Sequence, residues 1–136
     1  FLKYFRIFLF ALKFFRYLKT MKHLIFVYGT LKTRQSRNNI LSNSECLGIF
    51  KSLPKYTMVN LGSFPGIFEG GNTSISGEIY RVSEEVLQQL DLIEGHPDFY
   101  FRKKIFVYDK ENVFSYFLEK EKYKFYPSID TGIWQR

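Results

Sequence analysis

The sequence predicts an α+β domain: a small mixed or antiparallel sheet that curls towards a barrel, with one main helix and one short one. Three observations carry this. Strand-like apolar runs outnumber helical ones and are joined by short links. Aromatics make up 20% of the 136 residues, with 16 Phe and 10 Tyr, and such side chains suit a half-buried pleated surface. Hydrophobic residues at 46% against charged residues at 24% describe a chain that can bury one core.

Residues 1–20, "FLKYFRIFLFALKFFRYLKT", stand apart from a domain spanning 21–136. Their longest unbroken apolar run, Ile7–Leu12, is far short of the roughly 20 residues a bilayer span needs. Their cations run throughout, whereas a signal peptide carries positive charge at its front and small residues at a cleavage site. As a helix, Lys3, Arg6, Lys13 and Arg16 share one side and aromatics cover the rest, an arrangement that suits an anionic membrane surface. Against that, "MKHLIFVYGT" from Met21 has the form of a natural start, and residues 1–20 then read as translated upstream sequence. Any membrane contact is expected through residues 1–20 alone.

From Met21 the elements follow in order. "HLIFVY" (His23–Tyr28) is an apolar, β-rich run that ends at Gly29 and reads as a buried strand. "GTLKTRQSRNNIL" loops into a short helix around Arg34–Leu41. "CLGIFKS" and "KYTMVNLG" read as two more strands, broken at Pro54. "SFPGIFEGGN" reads as a loop, punctuated by Pro65-Gly66 and Gly70-Gly71. "SISGEIYRV" is a strand whose central Gly77 signals a bulge or the close approach of another backbone. The main helix follows. "YFRKKIFVYD" and "NVFSYFLE" then form a hairpin joined near Lys110-Glu111, and the tail "KFYPSIDTGIWQR" reads as loop.

The net charge of +7 suggests nucleic acid until its distribution is read. Lys3, Arg6, Lys13, Arg16 and Lys19 stand in the first twenty residues with no acid, and residues 21–136 keep only +2. A nearly balanced domain gives no support to a nucleic-acid partner. Neither G-x-G-x-x-G nor G-x-x-x-x-G-K-[ST] occurs, so dinucleotide and P-loop sites find no support either. The single cysteine, Cys46, rules out an internal disulfide framework, fits a reducing, cytoplasmic setting, and reads as a small core residue. With only His23 and His96 beside it, no Cys/His metal site is expected.

The main helix carries the first candidate for chemistry. Ser83 is a good N-cap, and Glu84 and Glu85 place negative charge in the first turn, where the helix dipole favours it. Gly95, with Pro97 just beyond, makes a stop, so the helix runs over Glu84–Glu94. Val86, Leu87, Leu90 and Ile93 form its apolar face. Glu94 lies four residues after Leu90 and seven after Leu87, on the same stripe. Held inside, it would be pushed up from its ordinary pKa of about 4.3 by desolvation and by the negative helix end, towards a general base for neutral pH. A frayed last turn would instead release Glu94 to water, and periodicity alone favours that outcome. Gly29 poses a similar choice. The consecutive amides of "YGTL" can form an anion-binding nest, or Gly29 is an ordinary strand-to-loop glycine.

Together, Tyr28-Gly29-Thr30-Leu31, Glu94, Pro97, Tyr100 and Arg102 resemble the gamma-glutamylcyclotransferase-like superfamily. The nearer likeness is to its branch of gamma-glutamylamine cyclotransferases, small bacterial proteins of that type, and plant avirulence-induced relatives. "FPGIFEGGNTSISGEIYRV" and "TGIW" resemble that family's Pro-rich loop before a Gly-Glu-[Leu/Val/Ile]-Tyr strand and its C-terminal Gly-x-Trp. The resemblance covers about residues 21–136. It implies a small barrel-like sheet with flanking helices, and an enzyme that releases an amine from a small gamma-glutamyl compound and leaves 5-oxoproline, without cofactor or metal. It implies that Tyr28, Gly29, Thr30 and Leu31 bind substrate, with the amides of the last three on its α-carboxylate. Glu94 would act as general base and then acid, and Tyr100 would hydrogen-bond the substrate or the glutamate. Arg102 is expected to be structural, Asp91 to sit at the rim, and Phe64–Gly71 to contribute to a leaving-group pocket. The alternative is a non-catalytic small-molecule-binding member of the same fold, against which the presence of Glu94 speaks.

Overall fold

A computed structural model describes residues 1–135; Arg136, the last residue of the 21–136 domain, and the side chains of Leu18 and Lys19 lie outside the described residues. In chain order the elements are α1 (Leu2–Thr20), β1 (Lys22–Val27), a 3-10 turn (Asn38–Leu41), β2 (Glu45–Lys51), β3 (Tyr56–Asn60), β4 (Pro65–Glu69), β5 (Ser76–Ser83), α2 (Glu84–Glu94), β6 (Phe101–Val107), β7 (Lys110–Phe117) and the one-turn α3 (Lys120–Tyr123). The main sheet runs β2-β5-β1-β7-β6 and is mixed: β1 pairs parallel with β7, and the other neighbours are antiparallel.

The two outer strands of that order meet. Ser52, just past β2, bridges to Val107 of β6. Across the same seam Leu53 N–H donates to Phe106 O at 2.9 Å and Tyr108 N–H to Lys51 O at 3.0 Å. The sheet therefore curls into the expected barrel, and at this end its edges are paired with each other. Strand β1 lies at the centre. Ile25 and Val27 join one apolar cluster with Leu87 and Leu90 of α2, while Phe26 and the adjoining Tyr28 join another with Met58, Ile67 and Phe117. Both faces are covered, which is why "HLIFVY" is apolar throughout rather than alternating. Gly77 of β5 marks a close backbone approach: a Cβ there would lie 2.5 Å from Val27 O.

Three expectations need correction. The stretch Ser63–Asn72 is not all loop, because Pro65–Glu69 is β4, paired antiparallel with β3. Proline at the first residue of a strand is tolerated, so a turn signal concealed a strand. The short helix is confined to Asn38–Leu41; Arg34, at φ 68°, is left-handed and cannot belong to it. Cys46 is exposed rather than buried, because β2 is the outermost strand of the order and none of its residues is fully buried. The tail is irregular, as the sequence predicts, and it is also packed: Val59 bridges Ser128, and Trp134 is buried.

Helix α1 lies outside the barrel. Among its described side chains only Ala11 is even half-buried. No helix among the described residues is long and apolar enough to cross a membrane.

Candidate active site

Helix α2 starts and stops where its sequence signals lie. Ser83 Oγ accepts the Val86 N–H at 3.2 Å, and Glu84 meets His23 Nε2 of β1 at 2.5 Å, which ties the helix start to the sheet. At the other end Gly95 turns left-handed with φ 67°, and His96 N–H reaches back to Asp91 O at 2.9 Å, closing the last turn. The segment beyond is pinned as well. Phe99 N–H bonds Gly95 O at 2.9 Å, Tyr100 N–H bonds Glu94 O at 3.2 Å, and Arg102 N–H donates to His96 Nδ1 at 2.9 Å. Fraying would break this set, so Glu94 is held inward at 7% exposure. The buried stripe is Leu87, Leu90 and Glu94; Ile93, expected on the apolar face, is 43% exposed at its edge.

The loop after β1 presents its backbone in a fixed form. The carbonyls of Gly29, Thr30 and Leu31 are taken by Lys32 N–H at 3.1 Å, Arg37 N–H at 2.8 Å and Asn38 Nδ2 at 2.8 Å. Their own N–H groups have no protein acceptor among the described residues, the condition for a backbone anion nest. Gly29 also serves packing, since a Cβ there would lie 2.9 Å from Pro65 Cγ.

Glu94, Tyr28, Gly29, Thr30, Leu31 and Tyr100 line one recess of about 30 Å³, together with Phe64, Pro65 and Tyr116. A second, outer chamber of about 90 Å³ is lined by Thr30, Arg37, Phe64, Ile93, Glu94, Phe99 and Tyr100. Glu94 thus stands where the two meet. Among the described residues its carboxyl has no hydrogen-bond or ion-pair partner. Burial pushes its pKa up to about 7, with the Arg37 guanidinium pulling the other way. Such a group is near half-ionised at neutral pH, the condition in which a carboxyl can both accept and donate a proton.

The tyrosine hydroxyls are already committed. Tyr28 donates to Tyr116 O at 2.7 Å, and Tyr100 donates to Pro65 O at 2.6 Å. Of the two partners expected for Tyr100, substrate or glutamate, Glu94 is not one: the Tyr100 proton goes to a backbone carbonyl, and the residue lines both chambers. Burial, then neighbouring acidic groups, raise the pKa of both tyrosines, so both stay neutral.

Asp91 looks away from the recess. It accepts from Tyr116 Oη at 2.6 Å and lies 3.3 Å from Arg102 Nε. It braces α2 against β6 and β7 rather than forming a carboxylate pair with Glu94. Asp91→Ala is expected to cost about 2 kcal/mol in a urea unfolding titration, since Tyr116 and Arg102 lose their acceptor. Its effect on turnover should be far smaller than that of a change at Glu94.

Arg37 and Tyr116, which no sequence spacing connects to Glu94, and Phe99, five residues after it, complete the walls. Of the stretch Phe64–Gly71, Phe64 and Pro65 reach the recess. Among the described residues no group of three or more His, Cys, Asp or Glu side chains is placed to hold a metal ion.

Comparisons with known proteins agree with this architecture. A family model described as "Gamma-glutamyl cyclotransferase, AIG2-like" matches residues 25–136. A Vibrio cholerae serotype O1 protein that carries a provisional gamma-glutamylcyclotransferase name is 38% identical over 117 residues, covering 84% of this chain and 96% of that protein. The crystal structure of an AIG2-like protein from Mus musculus matches with a TM-score of 0.70 at 25% identity, over 84% of this chain and 88% of that one. The solution structure of protein YtfP from Escherichia coli matches with a TM-score of 0.62 at 28% identity, over 84% and 96% of the two chains.

Proposed function

The chain belongs to the gamma-glutamyl cyclotransferase, AIG2-like family, and from that premise we propose that it cleaves a gamma-glutamyl amide, releasing an amine or amino acid and closing the glutamyl part to 5-oxoproline. The observation that carries this reading is Glu94: a buried carboxyl without a bonding partner, pKa about 7, between an inner recess and an outer chamber.

The free amides of Gly29, Thr30 and Leu31 hold the substrate α-carboxylate. Ionised Glu94 takes a proton from the α-ammonium. The freed amine attacks the γ-carbonyl of the same molecule, and the five-membered ring forms with the advantage of proximity. The old C–N bond breaks as Glu94 returns the proton to the departing nitrogen. Two protons pass from the attacking nitrogen to a departing ammonium, and one carboxyl carries each in turn. Tyr28 and Tyr100, kept neutral, add no competing charge.

The test is to incubate the protein with a panel of gamma-glutamyl amines and amino acids and to read 5-oxoproline by mass spectrometry. Product from at least one compound is expected. No product from any of them would leave the non-catalytic binding protein of the same fold as the better reading.

A further inference from the structure

We propose that the outer chamber is the leaving-group site and that it selects an amino acid: Arg37 receives the leaving group's own carboxylate, and the wall of Phe64, Ile93 and Phe99 receives an apolar side chain. This rests on the reading of Glu94 as the proton carrier at the scissile bond.

The two chambers divide the substrate. Gly29 and Leu31 line the inner recess alone, whereas Arg37, Ile93 and Phe99 line the outer chamber alone. Glu94, Thr30, Phe64 and Tyr100 border both. A gamma-glutamyl group seated on the amides places its amide bond beside Glu94 and sends the departing group outward.

Arg37 is suited to an anion there. Its backbone is fixed to Thr30 O at 2.8 Å, so it stands on the loop that supplies the amides. Its guanidinium has no hydrogen-bond or ion-pair partner among the described residues. It acts on Glu94 from beyond ion-pair distance, which leaves its donors available. A planar guanidinium matches a carboxylate in two parallel bonds and repels a cationic amine.

The apolar wall is partly exposed yet fixed. Phe99 is 38% exposed, but its ring is held edge-on by Phe64 at 6.1 Å, Tyr100 at 4.9 Å and Tyr123 at 6.0 Å between centroids. Ile93 also keeps 43% of its surface open although it sits on the helix that covers the core. An ordered aromatic surface beside an unpaired arginine fits a carboxylate attached to an apolar side chain.

The experiment measures affinity by calorimetry on full-length Glu94→Gln, whose turnover is expected to be slowed enough for binding to be read before product accumulates. The two ligands are gamma-glutamyl-phenylalanine and gamma-glutamyl-phenethylamine, which differ by one carboxylate. The first should bind about tenfold more tightly, the effect of one charge-assisted contact. Adding Arg37→Gln should reduce that ratio to about twofold or less, and Arg37→Lys should retain part of it. Equal affinities before Arg37 is changed, a ratio that survives Arg37→Gln, or equal weakening of both ligands each overturn the inference; the last would seat Arg37 on the glutamyl end. Absence of 5-oxoproline from the native chain with every substrate defeats the proposed activity instead. Failure of both ligands to bind defeats the two readings together.

Discussion

Glu94→Gln should lower 5-oxoproline release by roughly 10²–10⁴-fold, the range that a positioned acid–base group contributes, while leaving the fold more stable at neutral pH. The glutamine keeps the shape of the glutamate but cannot accept the ammonium proton. Stability moves the other way because the carboxylate is buried without a partner. The sign follows from the raised folded-state pKa, about 7 against an ordinary 4.5. Between those values the folded chain keeps a proton that the unfolded chain has lost. Stability is therefore full below about 4.5 and falls as pH rises through about 7. The shift corresponds to about 3 kcal/mol. Urea unfolding should show the variant ahead of the parent by up to that amount near pH ~8, and level with it near pH ~4. Undiminished product from the variant would remove Glu94 from the mechanism. A variant no more stable at high pH would show that the carboxylate is not held in a desolvated place.

The second large effect is on the pH profile. kcat/KM should climb about tenfold per pH unit on the acid side and level off near the Glu94 pKa, so that a fall from pH ~8 to pH ~5 costs roughly a hundredfold. Burial is the main cause of the raised pKa, and Arg37 opposes it. Arg37→Gln should therefore move the rising limb to higher pH. Tyr28 and Tyr100 contribute no inflection near neutrality, because burial pushes both upward. An inflection in the ordinary carboxylate range, or a flat profile, would sink the assignment of Glu94 as the proton carrier.

Much of the fold was legible because it rests on local rules. Apolar, β-rich runs bounded by turn residues marked strands where β1, β2, β3, β5, β6 and β7 stand. Ser83 and Gly95 bounded α2 at Glu84–Glu94, as observed. β4 was concealed because Pro65-Gly66 is both a turn signal and an acceptable strand start, and only pairing with β3 decides between them. Gly66 in that strand answers to a distant residue: a Cβ there would lie 1.9 Å from Leu118 Cδ1.

The site divides along the same line. By itself the sequence determined that Glu94 lies on the inner stripe of a capped helix, and that a glycine turn ends the first strand. Those are properties of spacing and of backbone preference within a few residues. Only the tertiary structure decided that the last turn does not fray, that the Tyr100 hydroxyl goes to Pro65 O, and that Asp91 turns to Tyr116 and Arg102. Only it set Arg37 within electrostatic reach of Glu94. The physical reason is that burial, and with it the pKa of a carboxyl, depends on what covers the group. What covers Glu94 comes from the loop after β1, from the start of β4 and from β7, segments that barrel closure brings together and that no local pattern links.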